Sequence, residues 1–258
     1  MTIGRFRPRV LAPGATIVPV HPPGYRTPVA YAVIAAVAAV LLLLALVGSP
    51  TGFRLFFAGL GVLALGALLV AIATSRSVTP GEVRLDRDAV GLRFAPTPAL
   101  RLSWAVLAIL GVLVGALPYV LDAAGLPATS GSLLTRFSPL AIGLAAFAWL
   151  VVQVAALAVP SGLTLTAHGV RGVRGAGRID LPWDEVSRVE VVSTRGARLV
   201  LHSRAGTATS LDGRVLGSDP NLVAPIVEHF RAHPADRSTL GDPAAALALV
   251  EAAVSPTV

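Results

Sequence analysis

The chain has 258 residues and a formal charge of +7, which raises nucleic acid as a partner. The charge is unevenly placed, however: ten arginines meet ten acids after residue 159, and the excess lies in the N-terminal tail and a middle loop, so nucleic acid is not the expected partner. The absence of cysteine excludes disulfides, thiol nucleophiles and thiolate-bound metal, and all 21 basic residues are arginine.

Residues 1–27 form a basic, proline-rich tail carrying Arg5, Arg7, Arg9 and Arg26. Four uncharged apolar runs follow at 29–47, 55–74, 104–121 and 139–159. Each is close to the ~20 residues a helix needs to cross a hydrocarbon core about 30 Å thick, so the sequence predicts a four-span transmembrane region over residues 28–159. The tail, the loop between the second and third runs and the region after 159 hold four, five and ten arginines. The two short connections, near 48–54 and 122–138, hold only Arg54 and Arg136. That asymmetry places both termini and the middle loop in the cytoplasm of a multi-pass plasma-membrane protein. The first run is expected to stay in place. Its lead and its apolar stretch are both long for a cleaved signal, and Arg5, Arg7 and Arg9 form no twin-arginine pair.

Gly111 and Gly115 make a G-x-x-x-G pair, and Gly61, Gly66, Ala35 and Ala39 supply further small faces, a pattern for close helix packing within a bundle. Gln153 is the main polar side chain deep in a run and is expected to bond across helices, and Pro118 is expected to bend the third helix. No charged residue lies inside the four runs to relay protons or bind ions.

An offset of 80 residues places Val83, Leu85, Asp88, Ala89 and Val90 on Leu163, Leu165, His168, Gly169 and Val170. Leu102-Ser103-Trp104 similarly matches Leu181-Pro182-Trp183. Each copy reads as two spans, an extended hairpin and a tryptophan, which predicts two parallel two-helix repeats related by an axis along the membrane normal. The first hairpin, within 78–102, is too small to be stable alone and is expected to pack against the C-terminal module as added strands. Trp104 and Trp183 are expected to be structural core residues.

After residue 160, alternating runs at 163–166, 169–174, 186–192, 198–202 and 207–211 predict an antiparallel sheet. Ser218-Asp219-Pro220 then signals a helix whose apolar face is Leu222, Val223, Ile226, Val227 and Phe230, with Pro225 expected to kink or delay it. Asp242-Pro243 opens a second helix to about residue 253, within a C-terminal helix and tail at 235–258.

Strands closed by a helix and entered directly from a membrane span resemble the bacterial pleckstrin-homology-like (PH-like) domain found in actinobacterial membrane proteins. The residues carrying the resemblance are Leu163-Thr164-Leu165-Thr166, Gly169-Val170-Arg171, Ile179 through Val186 and Arg198-Leu199-Val200-Leu201, over residues 160–234. The arginine-only, Ala- and Gly-rich composition agrees with a GC-rich actinobacterial genome. The resemblance implies a bent half-barrel closed by a helix, used to hold lipids, peptides or identical subunits and not for catalysis. Members that clamp inositol phosphates carry basic residues in the first hairpin turn. Here that turn is Ala167-His168-Gly169, so only general contact with anionic lipid is expected, through Arg171, Arg174 and Arg178 and through Arg5, Arg7 and Arg9 of the tail.

His229 and His233 stand four apart on a helix, but the sequence offers no recognisable third ligand and no H-E-x-x-H pattern, so no metal and no cofactor are expected. G-V-R-G-A-G over 172–177 lacks the phosphate-loop lysine and reads as a turn, and no nucleophile–base arrangement is present. The expected protein is therefore an α+β, non-catalytic membrane scaffold or binding protein. Its partners are membrane lipids and either an unidentified protein or copies of itself. The alternatives are a small transporter or transporter subunit and an envelope-lipid enzyme.

Overall fold

The computed structural model describes residues 3–11, 16–21, 27–48, 50–86, 89–126, 133–157, 162–174, 177–194 and 196–254. The protein is α+β, with four long apolar helices and, among the described residues, nine antiparallel strands. Contacts divide the chain into two compact units. One gathers Met1–Tyr25, Arg76–Thr97 and Pro160–Val258; the other comprises Arg26–Ser75 and Pro98–Val159. The N-terminal tail, the middle hairpin and the C-terminal helix are grouped with the sheet.

The helical unit contains α1 (Thr27–Val47), α2 (Thr51–Ser75), α3 (Pro98–Ala123) and α4 (Leu133–Leu157). All four are long and apolar enough to cross a membrane. They begin earlier than the apolar runs: Arg54, Arg101 and Arg136 all lie inside helices. Hydropathy marks only the apolar middle of a helix, whereas its ends are set by backbone bonding; Pro98, with its fixed φ, opens α3 six residues before Trp104. Residues 98–102 are accordingly helix and not hairpin.

Each helix packs on the next in sequence. Where α3 meets α4, Gly111 and Gly115 face Ala146 and Gly143; a Cβ on Gly111 would lie 2.6 Å from that of Ala146, and one on Gly115 would collide with the Gly143 backbone. Gly61 of α2 likewise receives Leu42 of α1. The Tyr31 hydroxyl near the start of α1 bonds the Ser75 hydroxyl at the end of α2. Trp104 near the start of α3 meets Trp149 near the end of α4 edge-on, with ring centroids 5.8 Å apart. These contacts fix α1–α2 and α3–α4 as two antiparallel hairpins.

The sheet unit contains a six-stranded sheet in chain order: β1 (Ile3–Phe6), β2 (Val83–Asp86), β3 (Leu92–Phe94), β4 (Leu163–Leu165), β5 (Gly169–Arg174) and β6 (Gly177–Pro182). A second sheet holds β7 (Val186–Ser193), β8 (Ala197–Ser203) and β9 (Ala208–Asp212). Then follow α5 (Gly213–Leu216), α6 (Pro220–Ala232), a 3-10 segment (Pro234–Gly241) and α7 (Pro243–Val254). Four of the five runs expected after residue 160 are strands within two residues of their predicted ends, and the run at 169–174 is β5 itself; β6 and β1 were not foreseen. Of the stretch read as a turn, 172–174 is strand, Gly177 begins β6, and 175–176 lie outside the described residues.

The middle hairpin joins the C-terminal strands through Leu92↔Leu165 and Phe94↔Leu163. Glycines with positive φ, Gly91 and Gly162, flank this pairing, and a Cβ on either would strike a backbone carbonyl, of Leu165 or of Phe94. The 80-residue offset sets β2 against β4, but the hairpins that these strands open differ in register. Leu85 pairs with Phe94, nine residues on, whereas Leu165 pairs with Val170, five on. Val90 is consequently 94% exposed and Val170 fully buried. The matched tripeptides also differ: Trp104 is half-buried in α3, whereas Trp183 is buried in the turn after β6.

One apolar core fills the sheet unit, with Leu85, Phe94, Leu165 and Val170 from the first sheet, Leu199, Leu201 and Leu211 from the second, and Val223, Ile226, Val227 and Phe230 from α6. Asp219 caps α6 by accepting from the Asn221 amide, and the helix continues through Pro225. Asp242 caps α7 through the Ala244 and Ala245 amides. Ala246, Leu247 and Val250 of α7 and Val10 of the tail enter the same core, so neither chain end is a mere appendage.

Candidate functional site

The tail arginines occupy one register of an extended segment. Arg5, Arg7 and Arg9 are exposed, while Pro8 and Val10 between and beyond them are buried. Arg7 is engaged with Glu82, donating from Nε (3.1 Å) and Nη2 (2.8 Å), and the Arg9 amide bonds Glu251 of α7. Arg5 stands across the ladder from Arg84. On the other side of the sheet Arg171 pairs with Asp180 at 3.1 Å, both well exposed, and Arg178 is exposed. The Arg174 side chain lies outside the described residues. The two arginine groups are thus on β1 with its extension and on the β5–β6 ladder, at opposite edges of the six-stranded sheet.

A buried polar junction, which sequence reading did not anticipate, lies between them. All four side chains of β2 are buried: Val83 and Leu85 enter the apolar core, whereas Arg84 and Asp86 alternate to the other face. Arg84 donates through Nη1 to Thr97 Oγ1, and its Nε has no partner among the described residues. Burial holds its guanidinium below the usual arginine range; Arg5 adds to the effect and Glu82 opposes it. Glu82 lies below the ordinary glutamate value, chiefly because Arg7 hydrogen-bonds it, against the opposing effect of burial. The Ser218 hydroxyl accepts from the Arg84 amide (2.9 Å), and Asp219 accepts from the Gly81 amide (2.8 Å). Asn221 bonds the Val18 backbone in both directions, at 2.9 and 2.8 Å. Tail, hairpin and α6 are therefore bonded into one network. Its groups hold segments together, and none forms a nucleophile–base pair.

Trp183 is buried in the core: its Nε1–H donates to the Thr166 carbonyl at 2.8 Å, and the Arg237 guanidinium lies 4.9 Å from the ring centroid. Arg237 also donates to the carbonyls of Phe230 and Arg231, closing the C-terminal end of α6. At that same end, His229 Nε2 meets Asp236 Oδ2 at 2.9 Å, and the His229 and His233 rings stack 4.5 Å apart. Asp236 is the third group that sequence spacing did not reveal. It sits on the 3-10 segment, whose return toward α6 no local pattern announced. Gln153 is half-buried on α4, and His168 lies in the β4–β5 turn with its carbonyl accepting from the Trp183 amide.

Comparison with protein-family models, with curated protein sequences and with solved structures finds no match for this chain.

Proposed function

We propose that the protein is a non-catalytic membrane scaffold whose four apolar helices span the plasma membrane and whose sheet unit is a cytoplasmic PH-like module that recruits a protein partner or further copies of the chain. One observation carries this reading. The three arginine-rich segments, separated in sequence by apolar helices, converge in one compact unit, while the two arginine-poor connections stay with the helices. Segments joined by β1–β2 and β3–β4 pairing share one aqueous compartment, as an even number of crossings and the arginine asymmetry both require.

The PH-like reading is supported by the split of the C-terminal strands into two sheets, followed by α6 with its apolar face in the common core. The departure from it is the three extra strands β1–β3. The outgoing strands β2 and β4, each following a helical hairpin and both pairing with β3, are what supports a two-fold repeat. Recognition at an exposed strand edge is the mode such a module offers, with arginines at the sheet margins favouring an anionic surface.

The cysteine-free chain makes the topology directly testable. A single cysteine replacing exposed Val90 is expected to react with an impermeant maleimide only after cell lysis, whereas one replacing exposed Ala124 reacts in intact cells. Labelling of Val90→Cys in intact cells overturns the topology. Partners that co-purify equally with a chain lacking residues 160–258 overturn the scaffold reading.

A further inference from the structure

We propose that His229, His233 and Asp236 bind a divalent transition-metal ion of the zinc class, at a site open to solvent on one side. The ligand atoms of the three side chains lie within 4.8 Å of one another, and His229 Nε2 and Asp236 Oδ2 are already 2.9 Å apart. Tetrahedral coordination at bond lengths of 2.0–2.2 Å needs ligands about 3.4 Å from each other, a separation these atoms bracket. The two imidazoles, whose rings stack 4.5 Å apart and 24° from parallel, must turn out of that stack so that both lone pairs meet at one ion.

Local structure explains the convergence. His229 lies in the last turn of α6 and His233, four residues on, is its C-cap, where helix and 3-10 segment meet; the His233 amide and Nδ1 both bond the His229 carbonyl. The Asp236 amide then bonds the His233 carbonyl at 3.2 Å, folding the carboxylate back toward the helix. A carbonyl can only accept, so His233 Nδ1 carries the proton and its Nε2 presents a lone pair. This is the outer-shell arrangement that orients metal-binding imidazoles. For His229, an ion replaces the hydrogen shared with Asp236 and the ring proton moves from Nε2 to Nδ1, so a neutral imidazole stays neutral. Two imidazole nitrogens and one carboxylate oxygen suit zinc, cobalt or nickel and disfavour magnesium and calcium, which take oxygen ligands. The part-buried His229 fixes one ligand, while the exposed His233 leaves an entry path and room for water.

Such an ion clamps the end of α6 to the segment carrying Arg237. The test uses the full chain, purified in detergent and stripped with a chelator. Titration with Co²⁺ is expected to give one ion per chain with visible tetrahedral absorption bands, displaced by Zn²⁺ and not by Mg²⁺. His233→Gln and Asp236→Asn, each with an unchanged circular dichroism spectrum, should weaken Zn²⁺ binding by at least about tenfold. His202→Gln, which alters the β8 histidine bonded to Glu190, should leave it intact. Absence of stoichiometric Co²⁺ and Zn²⁺ binding by the wild-type chain overturns the proposal, as does equal affinity in the His233 and Asp236 variants.

Discussion

The sheet unit and the helical unit are filled in opposite ways. Phe94, Phe230, Leu85, Leu165 and Ile226 are among the largest fully buried side chains, and all belong to the sheet unit. In α2 the buried positions are Gly52, Gly61, Gly66 and Val70, while many valines and leucines along α1–α4 are exposed. A module surrounded by water gains by hiding large apolar groups. Under the proposed membrane insertion, the helices have no such gain and draw together through small residues that let backbones approach. The sheet unit is therefore sensitive to lost volume and the helical unit to added volume.

Three substitutions sharpen or break this contrast. Phe230→Ala should have the largest effect, destabilising the sheet unit by about 3–5 kcal/mol, seen as faster amide exchange in β7 and β8 with α1–α4 unaffected. Gly115→Val should come next, destabilising α3–α4 packing by about 1–3 kcal/mol because the new Cβ meets the Gly143 backbone. Reversible unfolding in mixed micelles measures it, and a wild-type midpoint for this variant breaks the contrast. Arg7→Ala should be smallest, under about 1 kcal/mol, since Arg7 is itself 78% exposed. Its signature is in pH. Because the folded-state value of Glu82 is depressed, its contribution is fully present above the ordinary glutamate value and is lost as pH falls through the depressed one. Arg7→Ala should flatten the acid limb of the stability curve over that window.

Much of the architecture was legible from periodicity. Uninterrupted apolar runs marked the four helices, two-residue alternation marked β2, β4, β5, β7, β8 and β9, and Asp219-Pro220 and Asp242-Pro243 marked helix starts. Strand β1 was not expected in the tail, where dense arginine obscures the alternation. Arg5, Arg7 and Arg9 outward against Pro8 and Val10 inward is an extended pattern that was available. The repeat was over-extended because matching residue types do not fix register: Val90 and Val170 share a side chain but not a place in their hairpins. The polar junction was invisible for a different reason. A charged residue in an alternating strand normally signals the solvated face, and nothing near Arg84 says that Ser218 and Thr97 will cover it.

Local chemistry along the chain, then, was enough to determine most of its elements: where it is apolar, where it alternates, where it caps and how its charge is partitioned. These depend on neighbours within a few residues. Tertiary structure alone decided which other distant segments meet: β1 on β2, Asn221 on Val18 and Asp236 on His229. Such encounters depend on shape, on register and on which buried polar groups find partners, and those properties belong to the folded chain as a whole.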